Sequence, residues 1–182
     1  MELVLDVETT MTPSKEWSEG NSLLSDSSPS PYLATNKLVS VSYKRIDSGT
    51  YSWIDGESKQ HLIDTLEQTD LLIGFNIKFD LSWLQESGFT YEKNIYDVQL
   101  AEYVIQGGVL VAPSLNEVAG MYGLPLKHDT VKEYWKKGIN TDMIPLSILL
   151  EYGEHDVWLT QQIYIKQQEI LNGTAPSYRA YK

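Results

Sequence analysis

Three pairs of oxygen-bearing side chains occur along the chain at spacings that suit one shared site. They are Asp6 with Glu8, Asn76 with Asp80, and Tyr152 with Asp156. Residues two apart on an extended strand point to the same side, and residues four apart on a helix lie one turn apart on one face. Each pair could therefore present its members together, and carboxylates presented together suit a hard cation such as Mg²⁺ or Mn²⁺.

Each pair alone has little weight, because the same spacings recur elsewhere. Asp55 and Glu57 repeat the Asp-x-Glu spacing, and Tyr43 with Asp47 repeats the spacing of Tyr152 and Asp156. Context separates the candidates, since Asp55 and Glu57 lie in a polar turn where we expect them to be solvated. Asp80 instead stands in the apolar stretch LLIGFNIKFDLSWL, where an unpaired carboxylate would be costly.

The four acids predict a metal site if the fold brings them together. Clustered carboxylates repel one another and raise one another's pKa values, and a pair of divalent cations relieves that repulsion. We therefore predict that Asp6, Glu8, Asp80 and Asp156 hold two Mg²⁺ or Mn²⁺ ions. The alternative is that each acid is only a helix cap or a solvated chain end.

The hydrophobic pattern predicts the elements that would position these side chains. We expect strands over residues 2–7, 38–45, GTYSWID, LLIGF and KNIYDV, and helices over residues 58–68, 77–87, 98–106, SLNEVAGMYG and from near Pro145 to about Leu171. This order predicts an α/β fold with a mixed sheet covered by helices.

Local signals mark several boundaries in this pattern. Asp97 is predicted to be a helix N-cap rather than a metal ligand, and Ser114 with Glu117 has the spacing of a capping box. Gly88 is predicted to end the second helix. The Ser- and Pro-rich segment 11–36 is too long for an ordinary connection, so it is either functional, bordering the cleft, or disordered.

Composition and charge limit the class of protein. The 182 residues, 42% of them hydrophobic, fit a single domain spanning residues 1–182, with a loose tail at 173–182. Without cysteine, a membrane-length apolar segment or a signal peptide, we expect a cytoplasmic protein, in the host cytoplasm if it is viral. The net charge of −11 argues against a broad basic face for nucleic acid, although the stretch KEYWKK is either a small contact of that kind or a solvated helix face.

The motifs LDVETT, GFNIKFD and YGEHD, in this order, resemble the three motifs of the DEDD 3′–5′ exonucleases. Tyr152, four residues before Asp156, matches the tyrosine subclass of that family, whereas the histidine subclass would need a histidine where Glu151 stands. The similarity is strongest to the proofreading domain of family A DNA polymerases, especially phage ones, and covers roughly residues 2–171. It implies an RNase H-like mixed sheet of five strands flanked by helices.

The resemblance also implies roles for individual residues. Asp6, Glu8 and Asp156 would hold one ion, and Asp6 and Asp80 would hold a second. Tyr152 would orient the attacking water, and the two ions would stabilise the charge that develops on the phosphate. The implied substrate contacts are Thr9, Met11, Asn76 and Tyr152.

Some positions depart from the family pattern. The leucine that often wedges against the terminal base falls on Thr12, beside Met11, and the expected aromatic residue falls on Val131. Tyr134 and Trp135 are candidate substitutes for that aromatic residue. These departures concern base stacking and leave the metal site intact.

The resemblance favours a metal-dependent 3′–5′ exonuclease that releases nucleoside 5′-monophosphates from the 3′ ends of single-stranded DNA. A separately encoded DNA polymerase is a candidate partner, because we expect no polymerase domain in 182 residues and weak unaided binding from so acidic a chain. An exoribonuclease similar to RNase D is the alternative. A catalytically silent nucleic-acid-binding or regulatory module is a third hypothesis, disfavoured because all four acids and Tyr152 remain.

Overall fold

The computed structural model describes residues 1–10, 30–126 and 130–173. Five strands form one sheet: β1 (Glu2–Thr9), β2 (Leu38–Arg45), β3 (Thr50–Ile54), β4 (Leu71–Gly74) and β5 (Asn94–Asp97). Their order across the sheet is β3-β2-β1-β4-β5. β2 runs antiparallel to both of its neighbours, β1 and β3, whereas β4 and β5 run parallel to β1. The predicted mixed five-stranded sheet is confirmed.

The helices of the described ranges follow the predicted order. They are α1 (Gln60–Gln68), α2 (Ile77–Glu86), α3 (Val98–Ile105), α4 (Leu115–Met121), α5 (Thr130–Lys136) and α6 (Leu146–Leu171), with a 3₁₀ turn at Thr141–Met143. α5 is not among the helices predicted from the hydrophobic pattern, although one of the two interpretations of KEYWKK, which overlaps it, is a solvated helix face. Within the same ranges, no helix combines the length and the apolar character needed to cross a membrane.

Side chains alternate between the two faces of the sheet along β1, so they pack into two different apolar cores. Leu3, Leu5 and Val7 pack on one face of the sheet with the side chains of α1 and α2. Val4 packs on the opposite face, in the core that includes α3, α4 and α6. Because side chains alternate along a strand, Asp6 and Glu8 share the face of Val4, on which α6 lies.

The predicted boundary signals are confirmed where the structure describes them. Asp97 caps α3 by accepting hydrogen bonds from the backbone nitrogens of Gln99 and Leu100, and Ser114 with Glu117 forms a complete capping box on α4. Gly88 has φ +83°, a left-handed conformation that glycine adopts without strain, just beyond the end of α2.

One strand boundary is corrected. β1 continues to Thr9 rather than ending at residue 7, because β2 pairs with it along its whole outer half, with Glu8 opposite Ser40. Its pairing with β4 stops at Val4, opposite Ile73. Glu8 therefore lies inside the strand and not just beyond its end. Both Asp6 and Glu8 lie where β1 has no partner on the side of β4.

The two ends of the long segment between β1 and β2 lie next to each other at the end of β1. The backbone nitrogen of Thr10 donates to the carbonyl oxygen of Lys37 at 3.0 Å, and the Lys37 nitrogen donates to Thr10 Oγ1 at 2.9 Å. Most of the segment, residues 11–29, lies outside the described residues, as do Met11 and the tail 174–182. The predicted position of this loop beside the cleft stays a prediction.

Candidate metal centre and cleft

Three of the four predicted acids meet on the face of the sheet beneath α6. Asp6 and Glu8 come from β1, and Asp156 comes from the middle of α6. One carboxylate oxygen from each of the three lies within 4.8 Å of the others. Glu8 and Asp156 are each only 6% exposed, so two of these charged groups are largely removed from water.

The sequence of α6 explains why Asp156 points to the sheet. The helix buries Leu149, Leu159 and Ile163 on the predicted face, all 1% exposed or less. Asp156 and Tyr152 belong to the same buried face, because they lie at helical spacing from these apolar residues. Burial of the apolar residues therefore carries Asp156 to Asp6 and Glu8.

Asp80 reaches the same strand from α2, which packs on the other face of the sheet. It lies in the first turn of α2, is 3% exposed, and accepts a hydrogen bond from the backbone nitrogen of Val7 at 3.1 Å. Burial raises the pKa of Asp80 well above its ordinary range, and the negative charge of Asp6 raises it further. Asp80 lies outside the group of three whose oxygens fall within 4.8 Å, so the predicted convergence is tighter for three acids than for the fourth.

The donor set fits divalent cations of the Mg²⁺ type. All the candidate ligands are carboxylate oxygens, which are the ligands that hard cations prefer. The repulsion between Asp6 and Asp80 that raises the Asp80 pKa is the kind of repulsion a bound cation removes. Asp6, Glu8 and Asp156 are therefore suited to one ion, and the Asp6–Asp80 side of the strand is suited to another.

A cleft of about 190 Å³ opens at the three acids. Its other lining residues are Val7, Thr9, Phe79, Trp135 and Tyr152. The Tyr152 side chain is 8% exposed and meets the Trp135 ring edge to face, with ring centroids 6.3 Å apart. Trp135 Nε1 donates to Thr141 Oγ1 at 3.1 Å, which fixes the indole at the side of the cleft.

Some of these cleft residues were predicted from the sequence, and others were not. Thr9, a predicted substrate contact, lines the cleft. Trp135 was one of two candidate aromatic substitutes, and it lines the cleft, whereas Tyr134 is not among the lining residues and Val131 is fully buried in the core. Phe79 was missed, although its position directly before Asp80 in GFNIKFD was a usable signal.

Asn76 lies beside the cleft and not in it. It is exposed, has the left-handed φ of +59°, and lines a neighbouring groove of about 710 Å³. Its backbone nitrogen donates to Asp97 Oδ1 at 3.1 Å, and the same oxygen accepts from Gln99 and Leu100. Asp97 thus caps α3 and also holds the turn that presents Asn76.

The wider sequence and structure of the chain are similar to nucleases. The model of a 3′–5′ exonuclease family named for DNA polymerase A matches residues 32–172. No curated protein matches the sequence. The match begins after β1, so the placement of Asp6 and Glu8 rests on the structure and on the motif LDVETT.

Solved structures share the fold at low sequence identity. NrnC from Brucella melitensis with bound Mg²⁺ superposes with a TM-score of 0.66 at 13% identity, covering 98% of this chain and 77% of that one. NrnC bound to pGG gives a TM-score of 0.65 at 15% identity, over 98% and 77% of the two chains. The family B DNA polymerase of the hyperthermophilic archaeon Pyrobaculum calidifontis gives 0.61 at 18% identity, over 91% of this chain and 24% of the polymerase.

Proposed function

Because the chain belongs to the 3′–5′ exonuclease family and is a divalent-cation-dependent nuclease, we propose that it removes nucleoside 5′-monophosphates from the 3′ ends of single-stranded DNA. The observation that carries the proposal is the meeting of Asp6, Glu8 and Asp156 within 4.8 Å at a cleft that Tyr152 also lines. We assign the whole of residues 1–182 to this one exonuclease domain.

The proposed roles divide the site between metal binding and positioning. Asp6, Glu8 and Asp156 would hold one cation, with Asp6 and Asp80 holding a second. Bound cations supply Lewis-acid stabilisation of the charge that develops on the scissile phosphate. An arrangement of this kind needs no side-chain base, and it matches the acids and the tyrosine that the tyrosine subclass uses.

Three aromatic side chains would position the reactants. The buried ring of Tyr152 is held edge to face by Trp135, so its hydroxyl has little freedom to leave the cleft. We assign that hydroxyl the task of orienting the attacking water. Trp135 and Phe79 offer faces or edges on which the terminal base can pack, in place of the aromatic residue missing at Val131.

RNA is the second candidate substrate, and a specific observation favours it. NrnC, whose structure is similar to this one over 98% of this chain and 77% of NrnC, binds pGG, a short oligonucleotide. An enzyme for such substrates needs only a local contact with phosphate and bases, which agrees with a net charge of −11. The acids of the cleft do not distinguish DNA from RNA, since they act on the phosphodiester that both share.

If the substrate is DNA, we propose that the partner of this chain is a separately encoded DNA polymerase. An acidic chain binds single strands weakly on its own, and a polymerase that delivered the 3′ end would overcome that weakness. Full activity of the isolated chain on single-stranded DNA, together with a failure to co-purify with any polymerase, would contradict this part of the proposal.

The test is digestion of 5′-labelled single-stranded DNA, matched RNA and a dinucleotide in Mg²⁺ or Mn²⁺. We expect a ladder that shortens from the 3′ end, stops on chelation and is absent with Asp6→Ala. Glu57→Ala is the matched control, because Asp55 and Glu57 repeat the Asp-x-Glu spacing at an exposed turn. Cleavage of DNA supports the proposal of a DNA exonuclease. Cleavage of only RNA or the dinucleotide supports the proposal that RNA is the substrate, and cleavage of none of the three would contradict both proposals.

A further inference from the structure

Ser40 lies directly across the sheet from a proposed metal ligand. In the antiparallel pairing of β1 and β2, Glu8 is opposite Ser40 and Asp6 is opposite Ser42. Residues directly opposite in such a pair have side chains on the same face, with Cβ atoms about 4.5–5.5 Å apart. The side chains of Ser40 and Glu8 therefore start next to each other on the face that α6 covers.

The Ser40 hydroxyl is buried and unused within the described part of the chain. Ser40 is 1% exposed, and its Oγ has no hydrogen-bond partner among the described residues. Buried hydroxyl groups are nearly always hydrogen-bonded, so an unsatisfied one calls for an explanation. Ser42, the next residue on the same face, differs, because its Oγ lies 3.4 Å from Ser52 Oγ.

We propose that Ser40 is a positioning residue that donates its hydroxyl hydrogen to the Glu8 carboxylate when a divalent cation is bound. A carboxylate that gives one oxygen to a cation keeps lone pairs that can accept a hydrogen bond, and such bonds fix the orientation of metal ligands. The inference rests on the proposed function, since it takes Glu8 to be a metal ligand. Ser40 itself touches neither cation nor substrate.

The packing of α6 leaves Ser40 few other uses. Gly153 sits so close to the sheet that a Cβ added there would overlap Ser42 Oγ. The helix therefore closes over Ser42, and both serines are shielded from solvent, with exposures of 1% for Ser40 and 2% for Ser42. A hydroxyl sealed in this position must satisfy itself with a neighbour, and Glu8 is the charged neighbour directly opposite.

The test measures Mn²⁺ binding to the chain without nucleic acid, by the electron paramagnetic resonance signal of free Mn²⁺. Ser40→Ala should weaken binding about tenfold, the low end for loss of such a supporting hydrogen bond. Ser42→Ala is the matched control and should bind Mn²⁺ as the parent chain does. Ser40→Thr, which keeps a hydroxyl, should restore most of the affinity.

Thermal unfolding supplies a second readout that a purely structural serine would not give. Without metal, Ser40→Ala should unfold at the same temperature as the parent chain or higher, because the substitution removes a buried unsatisfied hydroxyl. With saturating Mn²⁺, its rise in Tm should be smaller than that of the parent. Parent-like Mn²⁺ binding by Ser40→Ala would overturn the inference and leave the proposed function standing, whereas no Mn²⁺ binding by the parent chain would overturn both.

Discussion

The carboxylate of Asp80 accepts a hydrogen bond from the backbone nitrogen of Val7, at 3.1 Å. Val7 lies between Asp6 and Glu8, so this bond ties the start of α2 to the part of β1 that carries two of the proposed ligands. The bond forms where β1 has run past its neighbour β4, whose pairing with β1 ends at Val4. Asp80 thus supplies an acceptor that the sheet no longer provides, in addition to its proposed role at a cation.

The two roles of Asp80 can be separated by substitution. Asp80→Asn keeps an oxygen that can accept from Val7, so we expect a normal fold and a loss of nuclease activity. Asp80→Ala leaves a buried N–H without an acceptor, which should also lower the free energy of unfolding by about 1–3 kcal/mol. Denaturant unfolding of both variants, beside activity assays, checks this, and equal stability of the two would contradict the structural role.

Tyr152→Phe tests whether the hydroxyl group of Tyr152 positions the attacking water. The variant should fold normally, since the ring that packs against Trp135 is kept, and cleavage should slow by on the order of 10²-fold. Tyr164→Phe is the matched control on the same helix, because its hydroxyl donates to Glu2 Oε1 away from the cleft. If Tyr152→Phe cleaved at the parent rate, the assignment to the tyrosine subclass would be wrong in mechanism.

Asp97→Ala tests whether the turn at Asn76 matters for the substrate. The substitution removes the cap of α3 and the acceptor for the Asn76 nitrogen, so we expect a stability loss of about 1 kcal/mol together with a raised KM. Ser114→Ala removes a comparable cap from α4, which has no link to Asn76. A similar rise in KM in Ser114→Ala would mean that general loosening, and not the Asn76 turn, causes the effect.

Gly153→Ala tests the close approach of α6 to the sheet. A Cβ at this position would overlap Ser42, so either the Ser42 side chain or the helix that carries Tyr152 and Asp156 must shift. We expect a loss of about 1–3 kcal/mol in the free energy of unfolding and lower activity, partly restored by adding Ser42→Ala. Gly120→Ala in α4 is the control, since its Cβ would make only an ordinary contact with Leu126 at 3.8 Å, and equal damage in both variants would contradict the account.

The sequence predicted the elements, and the meeting of Asp6, Glu8 and Asp156, better than the shape of the cleft. Local rules were sufficient for the Asp97 cap, the Ser114–Glu117 capping box and the helical face of Asp156, because each depends on residues a few positions apart. The tertiary contacts were not readable in this way. The length of β1 depends on pairing with β2, and the position of Ser40 opposite Glu8 depends on strand register, which no local pattern specifies.

The position of Trp135 in the structure also could not be predicted from the local sequence. Its place in KEYWKK suggested either a nucleic-acid contact or a solvated face, and its contact with Tyr152 arises only because α5 packs on α6. The lysines at 136 and 137 remain exposed, as either reading allowed.

Anomalous scattering from bound Mn²⁺ shows directly whether Asp6, Glu8, Asp80 and Asp156 form a divalent-metal site. Crystals of the chain grown with Mn²⁺ should show an anomalous difference peak bounded by Asp6, Glu8 and Asp156, and a second peak on the side of Asp6 that faces Asp80. Asp6→Ala crystals under the same conditions should lose both peaks. Parent crystals with an open cleft and no anomalous peak at these carboxylates would mean that the four acids do not form a metal site.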